Sequence, residues 1–259
     1  MGRYAVSSDG IRIHYQVTGA GSTALVFVHG WLGNAEWWNA QRDHFASRFV
    51  VVQIDLAGRG GSDRRSTWSV GHYADDIKAV VDQLEARDVV LVGHSMSGAW
   101  VVEAAPSIAR TKAVVLIDTL KDLDQLPTGE QAQQLFALYR SDFRSAVENV
   151  LPKFLFSEHT PPQIRSRLQR EFLETDPDLA VHMIEPLYQM DVREAARRVT
   201  VPVRAINSDL TPTNRETNLR YFRDFEYVTI TGTGHYPMLE RPDELDRLLD
   251  GVLAQLGVS

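Results

Sequence analysis

The chain has 259 residues, 44% of them hydrophobic and 24% charged, which is the profile of an ordinary globular protein with room for a sizeable buried core. Its 27 Lys and Arg against 34 Asp and Glu leave a formal net charge of −7, which argues against nucleic acid or an anionic membrane surface as partner. Cysteine is absent, so disulfides, thiolate catalysis and cysteine-held zinc are excluded.

The first residues carry no apolar stretch of the signal-peptide kind. No apolar run approaches the ~20 residues that span a bilayer. The expected location is cytoplasmic. Residues 11–17 alternate apolar and polar side chains, as a half-buried strand does, and Gly19-Ala20-Gly21-Ser22 follows as a turn. Residues 24–28, 50–54, 89–92, 113–117, 201–206 and 227–230 are short runs rich in β-branched residues, most of them stopped by Gly or Asp. Such runs read as strands buried on both faces, the habit of parallel strands. Helical stripes lie between them: Tyr73, Ile77, Val80, Val81 and Leu84, and later Leu245, Leu248, Leu249, Val252, Leu253 and Leu256. Strand and helix in alternation predict an α/β fold built on a parallel sheet.

One stretch breaks the alternation. Residues 121–199 hold no strong strand run, and apolar residues such as Phe136, Tyr139, Phe143, Leu168, Phe172, Leu179, Met183 and Leu187 keep helical spacing. Pro127, Pro152, Pro161, Pro162, Pro177 and Pro186 cut this stretch into several short helices. The expectation is a helical cap, residues 121–199, inserted into a core made of residues 1–120 and 200–259.

The chemistry-bearing motif starts where the strand at 89–92 runs into Gly93-His94-Ser95-Met96-Ser97-Gly98 and a helical pattern follows. A serine at the apex of a sharp strand-to-helix turn stands clear at the carboxyl end of the sheet, with a helix N-terminus behind it. Serine is a poor nucleophile at neutral pH until an oriented base takes its proton. His235, in Gly232-Thr233-Gly234-His235-Tyr236-Pro237 after the last strand run, is the one histidine in such a context. No H-E-x-x-H or other clustered ligand spacing is present, so no metal is expected.

On these residues the chain resembles the α/β-hydrolase family. That family's elbow reads G-x-S-x-G, and here Ser97 stands in place of the second glycine. Asp55-Leu56-Ala57-Gly58-Arg59-Gly60-Gly61-Ser62 is similar to the family's D-x-x-G-x-G-x-S turn, a fold marker. The resemblance implies a mostly parallel eight-stranded sheet flanked by helices, with Ser95 as nucleophile and His235 as base. It implies an oxyanion hole from the backbone N–H groups of Trp31, after His29-Gly30, and Met96. His29 and His94 read as structural. The family's usual acid position falls on Asp209, with Asp118 as rival because some members place the acid after the preceding strand.

The resemblance further implies hydrolysis of a carboxylic ester of a small to medium apolar substrate through an acyl-enzyme, without a cofactor. C–C bond hydrolases, lactonases and perhydrolases share the same parts, and the oligomeric state stays open. Serine at the nucleophile position argues against haloalkane dehalogenases and epoxide hydrolases, which carry aspartate there. Trp31, Trp37, Trp38 and Trp100 lie near the active end, and Trp31, Trp100, Leu120 and Tyr236 are the expected pocket walls. Because Ser97 is similar to the receptor-like members of the family, a ligand-binding signalling protein on a hydrolase scaffold is the alternative of another class.

Overall fold

The β-branched runs assemble into one eight-stranded sheet in the order β1-β2-β4-β3-β5-β6-β7-β8. A computed structural model of the chain describes residues 2–126 and 129–258, so Pro127, one of the expected helix breakers, lies outside the described residues. The strands are β1 (Arg3–Val6), β2 (Arg12–Thr18), β3 (Thr23–Val28), β4 (Val50–Ile54), β5 (Asp88–His94), β6 (Thr111–Ile117), β7 (Val203–Ser208) and β8 (Phe225–Ile230). From β4 to β8 all pairings are parallel, while β1 and β2 add an antiparallel edge. Every residue of β3 is buried, which is why its sequence runs apolar without alternation. β7 begins two residues later than its apolar run, because Pro202 has no N–H to give the ladder. β1 has no counterpart among the sequence runs. It is an edge strand that buries Ala5 alone and leaves Tyr4 and Val6 exposed, so no apolar pattern marks it.

Three helices punctuate the first half: α1 (Asn39–Phe45), α2 (Val70–Asp82) and α3 (Met96–Ala104). Ser69 caps α2 by accepting from His72 N, and the stripe Tyr73, Ile77, Val80 and Val81 is buried against the sheet. Between β6 and β7 the described residues form helices and no strand. These are α4 (Gly129–Ser141), α5 (Phe143–Ser145), a π turn at Ala146–Val150, α6 (Pro152–Leu155), α7 (Pro162–Leu173), α8 (Pro177–Gln189) and α9 (Val192–Arg198). Pro152, Pro162 and Pro177 each open a helix, where a missing N–H costs nothing. The chain ends with α10 (Arg215–Asn218), α11 (Pro237–Glu240) and α12 (Pro242–Gln255).

The helices between β6 and β7 are tied to the carboxyl edge of the sheet by buried polar contacts. Trp31 Nε1 donates to Ala180 O at 2.7 Å and Trp37 Nε1 to Glu171 Oε2 at 2.9 Å. Tyr73 Oη donates to Met183 O at 3.0 Å. Among the described residues no helix is long and apolar enough to cross a membrane.

Candidate active site

β5 passes into α3 through Ser95, whose φ of +54° lies in the left-handed region that L-residues avoid. Leu32, Ser95, Asp118 and Leu120 are the non-glycine residues with positive φ among the described residues. All four sit in loops that follow β3, β5 or β6, so backbone strain is concentrated at one edge of the sheet. The elbow is closed from three sides. Ser95 N donates to Ile117 O at 3.1 Å, and Thr119 Oγ1 donates to Ser95 O at 2.7 Å. A Cβ on Gly98 would lie 2.3 Å from Thr119 Cγ2, so only glycine fits there. Ser97, the departure from the family pattern, is fully buried, and its hydroxyl donates to His29 O at 2.5 Å. That bond ties the elbow to the loop after β3.

His235 bridges two side chains. Its Nε2 lies 2.7 Å from Ser95 Oγ, and its Nδ1 lies 2.6 Å from Asp118 Oδ2. With the carboxylate at Nδ1, that nitrogen carries the proton and Nε2 is left to accept from the hydroxyl. The carboxylate paired with His235 is therefore that of Asp118, and the expected Asp209 is not at the site. The β7 ladder ends at Ser208, and Asp209 turns outward and is exposed. Asp118 turns inward at φ +46° after β6. The end of β7 supports it: Ser208 N donates to Asp118 Oδ1 at 2.7 Å, and Asn207 Oδ1 accepts from Thr119 N at 3.1 Å. Lys121 Nζ stands 2.8 Å from the same Oδ1. Burial works against the charged form of Asp118, but the hydrogen bond and charge of His235, with Lys121, hold its pKa well below the usual carboxylate range.

The backbone around His235 is fixed as well. His235 N donates to Leu155 O at 2.8 Å, and His94 Nε2 donates to His235 O at 2.8 Å. Glu240 accepts from Gly234 N at 2.7 Å and from Tyr236 N at 3.1 Å. On the other side of Ser95, Trp31 N–H and Met96 N–H take part in no turn or loop hydrogen bond among the described residues. Met96 opens α3, where a first-turn N–H has no partner within the helix.

A cavity of about 520 Å³ opens from Ser95 and His235. Its apolar walls include Leu120, Leu123, Leu126, Leu187, Met190 and Val192, joined by Met96 and the ring of Tyr188, with Asp124, Asp191 and Arg193 also on its lining. Of the four expected walls only Leu120 lines it. Trp31 is drawn under α8 and stacks on Tyr139 at 5.2 Å. Trp100 is fully buried and stacks on Tyr73 at 4.6 Å. Tyr236 is buried against Trp37, 5.4 Å between ring centroids. These aromatics pack the interior. The other aliphatic walls were missed, although the three-residue spacing of Leu123 and Leu126 after Leu120 was a visible signal.

The alpha/beta hydrolase family pattern matches residues 25–248. The chain belongs to the alpha/beta hydrolase family. It is 24% identical to the AB hydrolase superfamily protein YisY of Bacillus subtilis (strain 168), over 96% of this chain and 98% of that protein. It is 36% identical to the bifunctional esterase/perhydrolase DCH of Acinetobacter calcoaceticus, over 44% of this chain and 43% of that one. Among solved structures, an esterase from Exiguobacterium antarcticum superposes with a TM-score of 0.85 at 18% identity, covering 98% of this chain and 100% of the other. At that identity the match speaks for the fold.

Two further histidines of this hydrolase are buried behind the site. His29 Nδ1 donates to Gly30 O at 2.7 Å while its Nε2 accepts from Leu56 N at 3.0 Å. His94 Nδ1 has no hydrogen-bond partner among the described residues. Burial pushes His94 down from 6.5 to about 3, with the charge of His235 adding to the effect. Burial likewise pushes His29 down to about 4. Both stay neutral in the fold while the unfolded chain takes up protons below about 6.5. The unfolded state then binds more protons, so stability held above pH 6.5 is lost as pH falls toward those folded values. Urea unfolding between pH 7 and pH 4 is expected to show this decline, with a shallower slope in His94→Asn. An equal slope in both proteins would remove His94 from the explanation.

Proposed function

We propose that this alpha/beta hydrolase is a serine esterase. The reading rests on the hydrogen-bonded line from Ser95 Oγ through His235 to Asp118. In this mechanism Ser95 Oγ attacks the ester carbonyl and passes its proton to His235 Nε2. Asp118 holds the Nδ1 proton and stabilises the imidazolium. The carbonyl oxygen becomes an oxyanion, held by Trp31 N–H and Met96 N–H. The intermediate collapses as the alcohol leaves with the proton from His235. Water, activated by the same imidazole, then releases the acid from the acyl-enzyme. No cofactor enters any step.

The aliphatic walls suit an apolar acyl or alcohol group of medium size. The helices between β6 and β7 act as the cap that excludes water from it. The hydroxyl of Ser97 is committed to His29 O and is not offered to the cavity.

A panel of p-nitrophenyl acetate, butyrate and octanoate tests the proposal. Steady turnover is expected, with the longer esters preferred over acetate in kcat/KM. A single acylation burst with no second turnover on any ester would replace the enzyme reading with the signalling one.

A further inference from the structure

The acid at this site has a second partner that the mechanism above does not use. Lys121 lies three residues after Asp118, in the loop that leaves β6, and its side chain is only 14% exposed. Its ammonium has three protons to donate. Three oxygens surround it: Asp118 Oδ1 at 2.8 Å, Ser208 O at 3.0 Å and Ser208 Oγ at 3.1 Å. Asp118 thus gives one oxygen to the lysine and the other to His235. His235 and Lys121 share a single carboxylate, that of Asp118, whose side chain is 2% exposed.

We propose that Lys121 is a positioning residue for the reaction: seated on the Asp118 carboxylate, it offsets part of the negative charge that Asp118 presents to the imidazole of His235. The proposal rests on the esterase reading for its kinetic arm only. Two partly buried charges separated by the width of a carboxylate act on one another with little screening by water. A cation there opposes the positive imidazolium. Its removal strengthens the hold of Asp118 on the proton of His235.

Other charged and titratable groups facing His235 do not duplicate this effect. From the start of the elbow comes His94, 4.8 Å away between ring centroids and kept neutral by burial. Tyr236, beside it in the chain, is likewise held neutral by burial. Glu240, from α11, is turned to the backbone of the histidine loop and to Thr160 Oγ1 at 2.8 Å. Across the cavity, Asp124 is paired with Arg220 and with Tyr221 Oη, while Asp191 caps α9 beside Arg193. Lys121 is the cation on the acid itself.

The test compares Lys121→Met, Lys121→Gln and Lys121→Arg with the unaltered enzyme. The acidic limb of the kcat/KM profile is expected to move up by about one pH unit in the Met and Gln variants, roughly half of what one unit charge gives at this range at an effective dielectric constant of about 20, because the lysine is partly exposed to water. One unit below the original midpoint this is roughly a tenfold loss of rate, while the plateau at high pH changes little. Lys121→Arg keeps the limb in place. Lys121→Gln matters because it retains a donor for Asp118 and Ser208 without the charge. The same shift is read without turnover by following the imidazole titration of His235 by NMR in the Ser95→Ala protein, with and without the lysine change. An unmoved limb and an unmoved titration overturn the proposal, as does a uniform loss of rate at every pH, the sign of a mere strut. If the titration moves in a protein that turns over no ester, the esterase reading falls and the role of Lys121 stands.

Discussion

Ser95→Ala is expected to lower kcat/KM for a p-nitrophenyl ester by about 10⁵-fold, to the residual catalysis that an oxyanion hole and binding supply without a nucleophile. The expectation follows from geometry. Ser95 Oγ is the hydroxyl within reach of His235 Nε2, and a φ of +54° holds it there. Alanine removes the oxygen and keeps the backbone strain, so the thermal midpoint should stay within a few degrees of the parent. The check is a progress curve and a melting curve on the same preparation. A variant that keeps a tenth of the activity would move the nucleophile elsewhere.

Asp118→Asn should cost about 10³ to 10⁴-fold in kcat, because an amide leaves the imidazole in the wrong tautomer without displacing it. Asp209→Asn should stay within about twofold of the parent, as is usual for an exposed side chain with no tie to the site. The pair is one experiment with two opposite outcomes, read as kcat at a fixed pH near 8. Equal losses in the two variants, or a larger loss at Asp209, would return the acid to the end of β7.

The contrast between these two aspartates marks the limit of what the sequence disclosed. The central strands were legible because the middles of β3, β5 and β6 are buried on both faces and run apolar without alternation. The elbow and the histidine loop were legible because sharp turns and close packing demand small residues at fixed spacing, as Gly98 against Thr119 illustrates. The choice of acid was not. β6 and β7 both end near an aspartate, and what separates them is the backbone at Asp118 together with the N–H of Ser208 from the neighbouring strand. Neither is visible in one dimension. The cavity walls failed for a different reason. Large aromatics gain most from complete burial, so Trp31, Trp100 and Tyr236 are taken up by packing, and the cavity is lined mainly by aliphatic residues, with Tyr188 the aromatic among them.

The backbone of His235 donates to Leu155 O, and Thr160 is bonded to the same Glu240 that braces the histidine loop. The helical insertion is therefore fastened to the histidine loop at one margin, like a door to its post. A motion that lifted this margin would pull on the backbone that sets the 2.7 Å distance between His235 Nε2 and Ser95 Oγ. Leu126, Leu187 and Met190, which line the cavity from this insertion, are held by apolar packing.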